Sequence, residues 1–268
     1  MKVFINEQAV NIGNIKSAYD IRRQYKPDAD IVIVNGFIIK SDHDLCEDDH
    51  IVLIKRGEMP QEEEMEALMM SRHTVGVHEK VKASSVAVCG LGGLGSNIAV
   101  ALARIGVGKL TLIDFDVVEP SNLNRQHYMV SHIGMKKTEA LKAQLAQINP
   151  FIEVVTHDVF LNEDNILDFI GEVDVAVEAF DGPQSKATLV STWKKHRPKK
   201  PIVAASGVAG YGSSNTVETR KMMENVYVVG DLTSEAKIGQ GLMAPRVVIA
   251  AGHQANMVLR LIMGEKVM

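Results

Sequence analysis

Cysteine is almost absent from this sequence: Cys46 and Cys89 are the only two among 268 residues, and neither belongs to a C-x-x-C pair. That scarcity excludes a disulfide framework and a four-thiolate zinc site. No stretch approaches the roughly 20 uninterrupted apolar residues that a membrane-spanning helix needs. A basic excess is missing too, since 29 Lys and Arg against 33 Asp and Glu leave a formal charge of −4. Such a chain offers no broad field for phosphodiester backbones, and nucleic acid is an unexpected partner. Met1 is followed at once by the strand-like Lys2-Val3-Phe4-Ile5, without a basic-then-apolar leader, which predicts a cytoplasmic location. Internal repeats and low-complexity tracts are absent.

What is present is a globular composition, 46% apolar and 23% charged. The length suits a nucleotide-binding α/β unit of about 200 residues with a small appendage. Residues 1–57 read as a small mixed domain. Lys2–Ile5 and Ala9–Ile12 are strands, Ile15–Tyr25 has helical spacing, and Asp30–Val34 and Phe37–Ile39 flank the hairpin signal Asn35-Gly36. Ile51–Ile54 adds a last apolar strand. Residues 58–83 read as a linking helix and loop, the helix opened by Pro60 and the acids Glu62 to Glu64. From residue 84 strands and helices alternate, which specifies a Rossmann-like, doubly wound, mostly parallel sheet covered on both faces. After Gly207 the pattern shifts to shorter strands, Tyr211–Val217 and Val226–Val229, expected to add antiparallel pairing before a final helix from Pro245 to Met263.

Gly90-Leu91-Gly92-Gly93-Leu94-Gly95-Ser96 sits between the apolar strand Val86–Cys89 and a helix whose apolar face is Leu94, Ile98, Leu102 and Ile105. In that context glycines permit a tight turn, close approach to phosphate oxygens and helix N–H groups aimed at negative charge. A nucleotide is implied, though the run alone does not choose which. Asp114 ends the next strand, at about the distance where an acid reaches ribose hydroxyls. A dinucleotide carries about two negative charges, whereas ATP carries about four and needs fixed cations. Arg125 and Lys137 are positioned to supply them.

Together, Gly-x-Gly-Gly-x-Gly, Asp114-x-Asp116 and Ser121-Asn122-x-x-Arg125-Gln126 resemble the adenylation domain of the ThiF/MoeB/HesA family, a branch of the ubiquitin-activating superfamily, over about residues 72–263. The first 57 residues resemble the β-grasp fold of ThiS-like sulfur carriers. The family resemblance implies that Gly90, Gly92, Gly93 and Gly95 form the phosphate cradle and that Asp114 binds the ribose. Asp116, Ser121, Asn122, Arg125, Gln126 and Lys137 would complete the ATP site. Asp181 matches the family's magnesium-associated aspartate, although Gly182 replaces the usual Asn after it. Arg72 matches an arginine that the family inserts into the other subunit's site, but Ser71-Arg72-His73 lacks the usual neighbours. A homodimer follows from the same resemblance.

The implied reaction is ATP-dependent adenylylation of the C-terminal glycine carboxylate of a carrier ending in Gly-Gly, in thiamine or related sulfur-transfer biosynthesis. Catalysis would rest on Arg72, Arg125, Lys137 and Asp181, with ATP and magnesium as cofactors and no zinc. Residues 182–268 contain no cysteine, so the thiolate zinc motifs and acyl-accepting cysteine of some relatives are missing. Cys89 reads as a core residue, and His127, His132 and His253 receive no role. Three other readings stay open: a nicotinamide-dependent oxidoreductase, activation of a small-molecule or tRNA-borne carboxylate, and a non-catalytic nucleotide-sensing scaffold.

Overall fold

Apolar runs such as Val86–Cys89 and Val175–Val177 need burial on both sheet faces, and the chain provides it by alternating strands with amphipathic helices. A computed structural model describes residues 1–6, 8–60, 62–74 and 76–266, apart from the side chains of Glu62 and Glu63. It divides into two compact units, Met1–Glu79 and Lys80–Met268.

In the first unit, β1 (Lys2–Ile5), β2 (Gln8–Asn11), α1 (Ala18–Tyr25), β3 (Ile31–Val34), β4 (Phe37–Ile38) and β5 (His50–Ile54) build a five-stranded sheet ordered β2-β1-β5-β3-β4. The central pair β1 and β5 is parallel, and its flanking pairs are antiparallel. Val3, Ile21, Val32, Ile51 and Leu53 form the core under α1. That helix begins at Ala18, later than the expected Ile15, because the Ser17 hydroxyl accepts the Asp20 N–H at 3.2 Å and caps the first turn there. Next, α2 (Glu62–Met70) buries Ala67 and Met70. Gln61 and the acidic side chains Glu62 and Glu63, expected to start that helix, lie outside the described residues.

The short α3 (Val77–Lys82) straddles the division at Glu79 and leads into the larger unit. There β6 (Ser85–Cys89), α4 (Gly93–Arg104), β7 (Lys109–Asp114), α5 (Lys137–Ile148), β8 (Glu153–Asp158), α6 (Ile166–Ile170), β9 (Val175–Glu178) and α7 (Pro183–His196) alternate. After them come β10 (Ile202–Ala205), β11 (Glu218–Met223), β12 (Val226–Gly230) and α8 (Ala244–Ile262). The seven strands are ordered β11-β12-β10-β9-β6-β7-β8, all parallel except the antiparallel β11–β12 edge. Helices α4, α5 and α8 pack on one face. On the other, Trp193 and Leu189 of α7 join Ile166, Ile170 and Ile202 in a core without solvent access.

Three expectations need correction. Tyr211–Val217 is not a strand: Gly210 makes a single bridge to Leu242, Ser214–Thr216 is a 3-10 turn, and the strand is Glu218–Met223. Edge position explains the miss, since β11 pairs with β12 alone and its Glu-Thr-Arg-Lys sequence has no apolar alternation. The helix expected from Glu163 begins at Ile166, because the Asn162 carboxamide oxygen accepts the N–H groups of Asp164 and Asn165 in a local turn. The strand expected over Ile152–Thr156 runs from Glu153 to Asp158, paired with β7 throughout. No helix among the described residues is long and apolar enough to cross a membrane.

Candidate active site

Strand order reverses at β6, from which the chain proceeds through β7 and β8 on one side and β9, β10 and β12 on the other. Such a switch point opens a crevice at the strands' C-terminal ends. Here it is a cavity of about 720 Å³, within the range of small-molecule sites.

The glycine loop forms its floor. Gly90 has φ +91°, and a Cβ there would lie 2.8 Å from the Ala179 carbonyl oxygen. A side chain at Gly95 would overlap the Gly90 carbonyl oxygen, so this glycine closes the turn upon itself. Gly90, Gly92 and Gly93 line the cavity; Gly95 is buried behind them. With Gly92 as N-cap, the first turn of α4 directs unpaired N–H groups toward this space.

Asp114 ends β7 and braces the loop. One carboxylate oxygen accepts the Leu91 N–H at 2.6 Å and the other accepts the Asp116 N–H at 2.8 Å. Lys137 occupies the first turn of α5, where the helix dipole disfavours a cation. It is only 5% exposed and donates to Asp116 Oδ2 at 2.7 Å. Arg125 lines the cavity, its Nη1 donating to the Ser121 carbonyl at 3.1 Å and to Asn124 Oδ1 at 2.9 Å.

Ser121 and Asn122 do not line the cavity; they shape the turn that carries Arg125. The buried Asn122 accepts the Glu119 N–H through its side chain, and its carbonyl accepts the Arg125 and Gln126 N–H groups. Gln126 does line the cavity, while its Oε1 is buried without a hydrogen-bond partner among the described residues. Asp181 lies beyond β9, exposed on the cavity wall. Arg72 is exposed in the turn after α2, in the first unit.

Two ion pairs, each with one buried member, were missed by sequence reading. Glu178, wholly buried at the end of β9, accepts Lys186 Nζ at 3.0 and 3.2 Å, the Phe180 N–H at 2.7 Å and the Ala205 N–H at 3.3 Å. One carboxylate thus ties together the ends of β9 and β10. Burial raises its pKa, and the opposing pull of Lys186 does not cancel the effect. Arg246, 3% exposed, pairs with Asp231 at 2.6 Å. Burial alone would raise the Asp231 carboxyl, but hydrogen bonds from Ser234 and Thr233 outweigh it and hold the group well below the usual carboxylate range. A lysine five residues after Asp181 and an arginine in the first turn of α8 were the available sequence signals.

An ATP-sized ligand fits this arrangement: the glycine cradle, the first turn of α4 and the side chains of Arg125, Lys137 and Gln126 all border one space. Among the described residues no three or more His, Cys, Asp or Glu side chains cluster for a metal. Magnesium does not require such a cage, because it commonly takes one or two carboxylates together with substrate phosphates and water. Asp181 supplies a carboxylate of that kind.

Comparison with known proteins follows the same division of the chain. Residues 66–268 match the ThiF family model, and residues 1–57 match a ThiS-like ubiquitin model. A molybdopterin-synthase adenylyltransferase of Haemophilus influenzae is 36% identical over 131 residues, 48% of this chain and 53% of the enzyme. A tRNA threonylcarbamoyladenosine dehydratase of Bacillus subtilis is 38% identical over 133 residues, 49% of this chain and 52% of that protein. The chain therefore spans about half the length of these curated relatives. Among solved structures, the Escherichia coli tRNA N6-threonylcarbamoyladenosine dehydratase in complex with ATP shares the fold, with a TM-score of 0.69 at 22% identity over 78% of this chain and 98% of that one. Escherichia coli MccB, determined with AMPCPP and MccA, gives a TM-score of 0.56 at 26% identity over 76% of this chain and 64% of that one. The switch-point cradle and the family match over residues 66–268 lead to one conclusion: the chain belongs to the ThiF family and carries a ThiS-like ubiquitin unit at its N-terminal end.

Proposed function

We propose that the chain uses MgATP to adenylylate the C-terminal glycine carboxylate of a ubiquitin-like sulfur-carrier protein, in thiamine or related sulfur-transfer biosynthesis. The observation that carries this reading is the convergence of Arg125, Lys137 and Asp181 with the glycine loop in one cavity. A dinucleotide would leave those three groups without a task.

A carboxylate oxygen of the carrier attacks the α-phosphorus in line, the bond from that phosphorus to the bridging oxygen breaks, and pyrophosphate departs. The products are an acyl-adenylate and pyrophosphate. The nucleophile is already ionised at neutral pH, so no general base is needed, and the work of the site is alignment and charge stabilisation. Lys137 and Arg125 are suited to bear the charge on the phosphates, and the α4 N–H groups to orient them. Magnesium held at Asp181 would supply additional positive charge at the phosphates. Phe115 and Phe160, packed edge to face at 5.2 Å beside Asp114, suit a flat heterocycle.

In this reading residues 1–57 are the ThiS-like domain, 58–83 a link and 84–268 the adenylation domain. The ThiS-like unit is not its own substrate, because Gly57 continues into Glu58 and has no free carboxylate. Arg72 would act across a homodimer. Sulfur delivery falls to another protein.

Activation of a tRNA-borne carboxylate is favoured by the Bacillus subtilis relative's name. Against it, the cavity presents Asp114, Asp116, Asp181 and Glu235 against Arg125, Lys137 and Lys186, a balance that suits a slender peptide end better than a polyanion. The test is to mix the full chain with Gly-Gly-ended carriers and MgATP and weigh the carrier. A gain of one AMP supports the proposal, and its absence with every carrier while ATP remains bound rejects it.

A further inference from the structure

The cavity has two sides, and the cations proposed for the triphosphate occupy only one. Asp114, Asp116, Arg125 and Lys137 follow β6 and β7 in the chain. The other side consists of Ser206–Ala209 after β10 and Ser234–Ala236 after β12, two and three strands away from β6. At the spacing of neighbouring strands this separation is roughly 10–14 Å, enough to keep a second substrate clear of the triphosphate.

Both segments are irregular backbone and need something to hold them. Arg246 does so from the first turn of α8, where the helix dipole disfavours a cation and nearly complete burial disfavours it further. Its Nη1 donates to the Gly212 and Ser213 carbonyls at 3.1 and 2.9 Å. Its Nη2 donates to Thr216 Oγ1 at 3.2 Å and to Asp231 Oδ2 at 2.6 Å. Asp231 in turn accepts the Thr233 and Ser234 N–H groups at 2.8 and 2.7 Å. Its own N–H donates to the Gly207 carbonyl at 3.0 Å, and the next N–H, of Leu232, to the Ser206 carbonyl at 3.2 Å. A single guanidinium therefore fastens 212–216 directly and, through the Asp231 carboxylate, the segment with Ser234, while the backbone N–H groups of Asp231 and Leu232 tie that segment to Gly207 and Ser206. Val247, the next residue of α8, lines the cavity beside Gly93.

We propose that Arg246 is the positioning residue for the acyl substrate. Acting through Asp231, it sets the wall against which the carrier's C-terminal segment lies, and it does not touch the nucleotide. Four acceptors around one planar group call for the forked donors of arginine; an ammonium has three donors and no fork. The inference rests on the adenylylation reading, and its test separates the two.

Pyrophosphate exchange into ATP is measured on the full chain with a Gly-Gly-ended carrier, for wild type, Arg246→Lys and the volume-conserving Asp231→Asn. Both variants should raise KM for the carrier by about 10- to 100-fold, the scale of an ångström misplacement, and leave KM for ATP within about 2-fold. Amide hydrogen exchange on the same proteins should speed up at 207–216 and 231–236 and remain slow at 86–96 and 109–114. An unchanged carrier KM, or equal increases in both KM values, overturns the proposal. If wild type exchanges with no carrier, the adenylylation reading fails by itself. In that case the positioning role loses its acyl substrate and falls with it, and deprotection confined to the two segments would show only that Arg246 holds the wall.

Discussion

The Lys137 ammonium lies 2.7 Å from the Asp116 carboxylate and is almost wholly screened from solvent. The partner carboxylate stays about half exposed on the cavity side, so the cation is held at a helix start where only an anion favours it. Lys137→Ala should lower carrier-dependent pyrophosphate exchange by about 10²- to 10³-fold, the loss typical of a charge-stabilising donor. Lys137→Arg should restore part of it. Undiminished exchange in the alanine variant would remove Lys137 from the site.

Gly95 is a packing requirement. Adding a methyl group there sets it against the Gly90 carbonyl, so Gly95→Ala should destabilise the larger unit by about 1–3 kcal/mol. Urea unfolding measures this directly, and a stability equal to wild type would mean that the loop relaxes at little cost.

Glu178 gives a pH signature. Because burial raises its pKa above the ordinary 4.5, the folded chain keeps this proton to higher pH than the unfolded chain does. Its contribution to stability is therefore greatest below the unfolded value, declines as pH rises toward the folded value, and is level beyond. Glu178→Gln should remove that decline when unfolding free energy is followed from about pH 4 to about pH 8. Lys186→Met should extend the decline upward and cost about 3–5 kcal/mol near neutrality, since it strands a buried carboxylate. A Gln variant whose pH curve parallels wild type would refute the linkage.

Nucleotide choice is open to a thermal-shift measurement. At about 100 times its dissociation constant, MgATP should add about 2.7 kcal/mol and raise the midpoint by about 5–10 °C. NAD should do neither. Stabilisation by NAD alone would turn the reading toward hydride transfer.

Much of the architecture was legible because its signals are local. The alternation from residue 84, the Asn35-Gly36 hairpin and the glycine run between strand and helix are each written within about ten neighbouring residues. The polar edge strand Glu218–Met223 was not, because its pairing to β12 comes from the sheet and not from its own pattern. Ser121 and Asn122 belonged to a recognisable motif, yet the structure uses them to build the turn beneath Arg125. Arg246 and Asp231 are fifteen positions apart and meet only after β12 and α8 have packed. No periodicity encodes such a contact.

The unequal fates of the two cysteines have a practical consequence. Cys89 is sealed at the end of β6, directly before the glycine loop, and burial pushes its thiol pKa up, whereas Cys46 is exposed in the ThiS-like unit. A maleimide dye applied to the native chain will attach at Cys46 and leave the region under the cradle unmodified. The protein thus comes with a single natural labelling handle on the fused unit, ready for fluorescence work without any engineered thiol.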